Sequence, residues 1–129
     1  MNAKQARNNV ITLLQPLVTN QDVKAVAVHA GEIFKANEKA VKSPAIFVQY
    51  QRTIYQNAGQ HHTTREYEIH CLILVRTAKS KGDREDTALD ILEKVEEILE
   101  ASAKDLQDAE SLFDDGNITI LRVVGTWLE

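Results

Sequence analysis

Histidines and one cysteine form the only group of side chains in this sequence whose chemistry suits a metal ion. The group consists of His61, His62, His70 and Cys71. Neighbouring residues of a β-strand point to opposite faces, so neither the pair at 61 and 62 nor the pair at 70 and 71 can share one ion. The four-ligand spacing of a structural zinc site is also missing. We therefore expect no metal site, with exposed histidines and with Cys71 as a small apolar residue of the core.

Acidic residues are concentrated between positions 83 and 100, where they follow the outer face of an amphipathic pattern. Carboxylates that act as acid and base need two different environments, one of them buried, and this pattern predicts solvent exposure for all of them. The scattered glycines form no phosphate-binding loop, and no serine-centred elbow is present. The sequence thus predicts a protein that is not an enzyme and has neither catalytic residues nor a cofactor.

The strongest structural signal is a strand over residues 63–77, a break, and a helix that starts near residue 83. From Leu72 to Val75 both faces of the strand are apolar, so we expect cover on both sides: a helix on one, and on the other a second body such as a neighbouring subunit. Asp83 is the expected N-cap of the helix. The apolar stripe of this helix consists of Ala88, Ile91, Leu92, Val95, Ile98 and Leu99.

The other predicted elements are a helix over residues 2–17 and strands over residues 23–28, 43–51 and 118–128. Asn2 is a candidate N-cap, and Pro16 predicts the end of the first helix or a kink in it. Residues 30–41 fit either a helical turn or a loop, and residues 102–111 either more helix or a loose segment. The order α-β-β-β-α-β predicts one α+β domain over residues 1–129, with a largely antiparallel or mixed four-stranded sheet and two main helices packed on it.

Charge is distributed unevenly along the chain. Residues 1–81 contain eleven Lys or Arg and five Asp or Glu, whereas residues 82–129 contain four and fourteen. The two halves either interleave or form two surfaces of opposite sign, which would favour head-to-tail contacts between identical subunits. Without a basic cluster, we expect no binding to free nucleic acid. No apolar run approaches the roughly 20 residues that span a bilayer, and the N-terminus has no apolar signal core, so we expect neither membrane association nor secretion.

Residues 55–62 are predicted to form the tip of a hairpin between the second and third strands, with the turn near residues 57–59. The tip has an aromatic ring, several amides and no net charge; its candidate contact residues are Tyr55, Gln56, Asn57, Gln60, His61 and His62. It is either an idle loop or an arm that reaches a neighbouring subunit or another partner.

Three features together resemble a known family: the start Ser43-Pro44-Ala45-Ile46-Phe47-Val48, the polar hairpin with the long strand into Gly82, and the helix with Leu89-Asp90-Ile91-Leu92. They resemble the tail terminator or tail-completion proteins of long-tailed phages and Mu-like prophages, of the minor tail protein U type. The resemblance implies an α+β fold and a six-membered ring that caps the tail tube and ends its polymerisation.

The same resemblance implies three partners: further copies of the chain, the tail tube protein and the head–tail connector protein. It places the protein in the virion tail, and in the host cytoplasm during assembly. It puts an arm on residues 55–62 and a subunit contact on the acidic helix face around Glu93 and Glu97. The alternative from another class is a non-enzymatic ligand- or protein-binding α+β module that uses the hairpin at residues 54–62.

Overall fold

A mixed six-stranded sheet with two helices forms the structure, a computed structural model. It describes residues 2–29, 43–57, 63–76, 80–115 and 118–128, without the side chains of residues 56, 57, 63 and 113–115. The elements are α1 (Ala3–Thr19), β1 (Ala25–Val28), β2 (Ala45–Asn57), β3 (Thr63–Arg76), α2 (Lys81–Glu100), β4 (Asp105–Leu106), β5 (Glu110–Asp115) and β6 (Ile118–Leu128). The α+β class with a mixed sheet is therefore confirmed.

The strands lie in the order β1-β2-β3-β6-β4, and β5 also pairs with β6. Strand β1 is parallel to β2, and the other pairs are antiparallel. The predicted number of four strands was too low, because β4 and most of β5 lie in or next to the polar stretch expected to be helical or loose. Lys104 and Gln107 donate backbone hydrogen bonds to the carbonyls of Thr126 and Val124, at 2.7 and 2.8 Å. These short strands form because β6 supplies hydrogen-bond acceptors along its edge. The side-chain pattern of the short strands does not predict them.

Helix α1 begins as predicted and ends later than predicted. The side chain of Asn2 accepts a hydrogen bond from the backbone N–H of Gln5, whose side chain in turn accepts from the backbone of Asn2. This capping box confirms the N-cap. The helix does not end at Pro16 but continues to Thr19, since a proline removes only its own N–H and the N–H of Asn20 still bonds to Pro16.

Helix α2 starts earlier than predicted, with Ser80 as its N-cap in place of Asp83. The hydroxyl of Ser80 accepts from the backbone N–H of Asp83 at 3.2 Å and donates to the Asp83 carboxylate at 3.0 Å. Asp83 therefore lies in the first turn, where a negative charge is favourable. The predicted apolar stripe is confirmed: Ala88, Ile91, Val95 and Leu99 are buried, and Leu92 and Ile98 are partly buried against the core.

The sheet is buried on both faces at one end. Its helix-covered face packs Ile69, Cys71 and Ile73 of β3 against α1 and α2. On the opposite face a second apolar cluster is 0–6% exposed; it consists of Ala45, Phe47, Leu72, Leu74, Ile118 and Ile120. Double cover of the 72–75 segment is thus confirmed. A neighbouring subunit is not needed for it, because these side chains are already buried in the single chain.

Some predictions fall on residues that the structure does not describe, namely residues 30–41 and the hairpin turn residues 58–59. Neither helix in the described part of the chain combines the length and the apolar character that crossing a lipid bilayer requires.

Gly125 of β6 lies directly beneath the indole ring of Trp127, two residues along on the same face. A Cβ at position 125 would lie 2.4 Å and 2.6 Å from the Cη2 and Cζ3 atoms of that ring. Trp127 is only 8% exposed and belongs to the main core, so moving its ring to admit a methyl group would disturb core packing.

We expect Gly125→Ala to lower the free energy of unfolding by about 1–3 kcal/mol, because the added methyl group overpacks this contact. Urea denaturation followed by Trp127 fluorescence measures the effect. Gly82→Ala is the matched control: its Cβ would meet only the Ser80 hydroxyl oxygen, at 3.8 Å, and alanine favours a helix. Equal stability of the two variants would contradict the packing role of Gly125.

Candidate assembly surfaces

A two-stranded arm extends from the sheet at the ends of β2 and β3. Towards the arm, the pairing of β3 with β6 ends at Glu66, which lies opposite Leu128. Strands β2 and β3 stay paired beyond this point, as far as Asn57 and Thr63. The arm, defined as residues 55–57 and 63–65, thus passes the end of β6 by roughly 10 Å, at about 3.4 Å per residue. Tyr55 lies at its start and is 66% exposed. The sequence-predicted arm is therefore based on a real extension of two strands.

Only part of the predicted contact set can be placed. Gln60, His61 and His62 lie outside the described residues, as do the side chains of Gln56 and Asn57. The backbone of residues 56 and 57 belongs to β2 and pairs with residues 64 and 63. Tyr55 is thus the one predicted arm residue whose side chain can be examined in the part of the chain that the structure describes.

A β-bulge lies at the root of the arm. The register of β2 against β3 shifts between Tyr50 and Arg52, which leaves Gln51 as the extra residue. The hydroxyl groups of Tyr50 and Thr53 are hydrogen-bonded at 2.6 Å across this irregularity. Bulges bend a strand and increase its twist, so this one sets the direction in which the arm leaves the sheet.

Beside the bulge, Glu68 joins the two strands of the hairpin. Arg52 donates from Nε and Nη2 to one carboxylate oxygen of Glu68, at 3.3 and 3.2 Å. Nε2 of His70 lies 3.0 Å from the other oxygen, and it is the donor because an ionised carboxylate only accepts. Burial raises the pKa of Glu68, but the bonds from His70 and Arg52 lower it by more, so the pKa lies below its ordinary value.

This arrangement stabilises the root of the arm. His70, a member of the weak metal-like group in the sequence, is hydrogen-bonded to Glu68. It also lines a shallow cavity of about 240 Å³ together with Gln49 and Arg122. Cys71 lies on the other face of β3, where burial raises the pKa of its thiol to about 12. A thiol in this state is a poor nucleophile and a poor metal ligand. Among the described residues, no three His, Cys, Asp or Glu side chains converge on a site for a metal ion.

The acidic face of α2 is larger than the two residues that the sequence suggested. Glu93 and Glu97 are exposed, as expected of a contact surface. Between them, Glu96 is partly buried, and this burial together with the carboxylates of Asp108, Glu100 and Glu93 raises its pKa. Asp108 follows β4 and is distant in sequence, so only the folded chain reveals that it belongs to this cluster.

The two predicted sites lie on different sides of the molecule. The arm extends β2 and β3, whereas Asp108 beside the acidic face connects β4 to β5 on the other side of β6. Two strand spacings separate β3 from β4 in the sheet, about 10 Å. The structure therefore does not bring the arm and the acidic face together within one chain, which leaves each available to a separate partner.

Sequence comparison adds no family to this geometry. The chain matches no protein-family model. A search of curated proteins finds no significant match either. The arm, the acidic face and the sheet edges are therefore the features from which a function has to be inferred.

We expect the Glu68 bonds to make stability depend on pH. Because folding lowers the pKa of Glu68, its contribution is fully present above the ordinary carboxylate pKa of about 4.3 and is lost as the pH falls through the lower folded value. Glu68→Gln should lower the free energy of unfolding at pH 7 by about 1 kcal/mol, since Arg52 is 66% exposed and water screens its share. The variant should also lose less stability than the native protein below pH 5.

Denaturation curves between pH 3 and pH 7 measure this dependence. Glu97→Gln removes the same charge from an exposed position on α2 and serves as the control. Native and Glu68→Gln curves that run parallel at all pH values would show that the Glu68 bonds do not couple folding to protonation.

Proposed function

We propose that this chain is a ring-forming tail terminator of a long-tailed phage or prophage. In this proposal it is a structural protein without enzymatic activity that caps the tail tube, ends its polymerisation and joins it to the head-side connector. It works in the virion tail and assembles in the cytoplasm of the host. The observation that carries the proposal is the arm, which presents Tyr55 beyond the body of the sheet, 66% exposed.

The arm has the properties of a contact element. Tyrosine is enriched at protein interfaces, where its ring supplies a large contact area at a low cost in conformational entropy. The strands that carry it are paired up to residues 57 and 63, and Glu68 with Arg52 and His70 holds their root. A preorganised contact loses less entropy on binding than a loose loop does. An arm held in this way suits a docking role on the tail tube better than an idle loop would.

The charge distribution supports a ring. A closed ring needs heterologous interfaces, in which one surface of a subunit meets a different surface of the next. The more basic first part of the chain forms β1 and β2 at one edge of the sheet, and the acidic second part forms β4 and β5 at the other edge. Opposite signs on opposite sides favour head-to-tail contacts over contacts between like surfaces. A hexamer is the proposed ring.

Termination itself requires no chemistry in this proposal. A ring that binds the last turn of the tube more tightly than another tube subunit blocks further addition by occupying the growing end. The opposite surface of the ring is then free for the connector protein.

A second candidate function is a ligand- or protein-binding module that acts without forming a ring. It is favoured by the same exposure of Tyr55, because an arm at the edge of a single chain is sufficient for binding a partner. The oligomeric state separates the two candidates.

We expect the purified chain to form particles with the mass of about six subunits at high protein concentration, and this mass to decrease as salt is added. Charge-assisted contacts weaken when ions screen them. Light scattering after size exclusion, over a series of protein and salt concentrations, measures the mass. A monomer under every condition would contradict the ring and leave the binding module.

We expect Tyr55→Ala to weaken binding to purified tail tubes by about 2 kcal/mol, the range of an interface hot spot, and to leave the melting temperature nearly unchanged. Co-sedimentation with tubes and thermal denaturation measure the two quantities. Leu89→Ala is the matched control, because it removes another exposed apolar side chain, 53% exposed, from α2. A loss of stability as large as the loss of binding would mean that Tyr55 acts in the fold instead.

A further inference from the structure

The sheet has two outer edges of different composition. The first edge consists of β1 and of β2 beyond Val48, and the second edge consists of β5 and β4. Among the described residues, no strand pairs with the outer side of either edge. Open strand edges present backbone N–H and C=O groups to a further strand, so each edge is a template for pairing.

The strand directions at these edges are compatible with continuation from one copy to the next. Strands β2 and β6 run in the same direction because both are antiparallel to β3, and β1 is parallel to β2. Strands β4 and β5 run in the opposite direction. If a second copy is placed alongside in the same orientation, β5 of one copy therefore meets β1 of the next in the favourable antiparallel sense.

The register brings opposite charges to the same height at the two edges. Arg52 on the first edge pairs with Glu68, and Glu68 pairs with Thr126. Thr126 pairs with Asp105 on the second edge. Residues paired across strands lie in one row and on one face of the sheet, so Asp105 of one copy would lie level with Arg52 of the next. The side chain of Arg52 is 66% exposed, although its guanidinium is bonded to Glu68.

A second row gives the same result. The backbone N–H of Lys24 donates to the carbonyl of Pro44 at 2.8 Å, one residue before the paired Ala25 and Ala45. Ala45 pairs with Leu74, so Pro44, one residue earlier, is level with Val75, which pairs with Thr119. Thr119 pairs with Asp114 of β5. Lys24, which is exposed, thus lies at the same height as an acidic position on the second edge.

The charges also disfavour the wrong pairings. Strands β4 and β5 contain four acidic residues and no Lys or Arg, and the neighbouring Lys104 is paired with Glu66, so two second edges would repel each other. Strands β1 and β2 contain no acidic residue, and Arg52 is their only charge. An acidic edge that pairs only with an edge lacking acidic residues gives a heterologous contact, which is the type that a ring requires.

We infer that the subunits join edge to edge, with β1 of one copy paired with β5 of the next. Strands β2 and β4 then lie two strand spacings apart, about 10 Å, and the long side chain of Arg52 reaches towards Asp105 across this gap. This inference rests on the proposed function because it presumes self-assembly, and it names a contact other than the Glu93 and Glu97 face of α2. Each subunit extends the sheet of its neighbour, so the interface is formed largely by the backbone. The charged rows determine which edges meet and in which register.

Charge reversal in two separate variants tests the contact. Arg52→Glu alone places two acids opposite each other and Asp105→Arg alone places two arginines opposite each other, so we expect at least about tenfold weaker association for each. An equimolar mixture should regain the native mass, because copies that alternate around an even-numbered ring again place opposite charges at every contact. The double variant should assemble alone for the same reason. Light scattering at fixed protein concentration measures all four samples.

Lys4→Glu and Asp86→Arg, exposed positions on α1 and α2, are the matched controls and should assemble like the native chain. Native rings that are unaffected by the single reversals, or single variants that the mixture does not rescue, would overturn the edge contact and leave the terminator proposal intact. A native chain that stays monomeric at every concentration would overturn both.

A cross-linking experiment does not depend on the reversed charges. A mixture of Arg52→Cys and Asp105→Cys chains should form dimers with a short bismaleimide, whereas each variant alone should remain unlinked. Native Cys71 is buried and does not compete for the reagent. Dimers of the Asp105→Cys chain with itself would show that like edges meet and would overturn the inference.

Discussion

Strand β3 is paired along its length with β2 and, from Glu66 to Arg76, with β6, and at one end it is buried on both faces. Helices α1 and α2 cover one face, and on the other face the side chains of the second apolar cluster are also buried. A strand in this position has neither a free edge nor a wet face at that end, so a shift in its register would move whole rows of side chains to the wrong side. The register of β3 therefore determines the heights of all the other strands.

The arm follows from this arrangement through a difference in strand length. Strands β2 and β3 continue past the last pair that β3 makes with β6, and the bulge between Tyr50 and Arg52 changes their direction. Glu68, with both of its oxygens bonded, prevents the hairpin from opening at its root. The exposure of Tyr55 is thus a property of a supported structure, which is why a docking role explains it better than an untethered loop.

The strand order decides where parts of the chain with different charge lie. The chain enters the sheet at β1 and β2, crosses through β3 to β6, and adds β4 and β5 on the outside. Arg52 thus lies at one edge of the sheet and the acidic strands β4 and β5 lie at the other. Elsewhere the two parts of the chain mix, since Lys94 pairs with Asp22 and Lys104 pairs with Glu66. The acidic edge and the level rows of charge are consequences of one topology, and both support the proposed self-assembly.

The sequence by itself determined the α+β class, both helices, the β2–β3 hairpin and the core stripe of α2, because periodic burial leaves a local pattern of apolar residues. It also predicts a contact role for Tyr55, from a neutral aromatic tip between two strands, and this role stays a prediction. Only the tertiary structure decided that Asp105 lies in a strand, that Asp108 adjoins Glu96, and that Arg52 and Asp105 share a row. These facts depend on β6 accepting short polar strands along its edge and on register across the whole sheet. Such pairings join residues far apart in the chain, so no local pattern in the sequence encodes them.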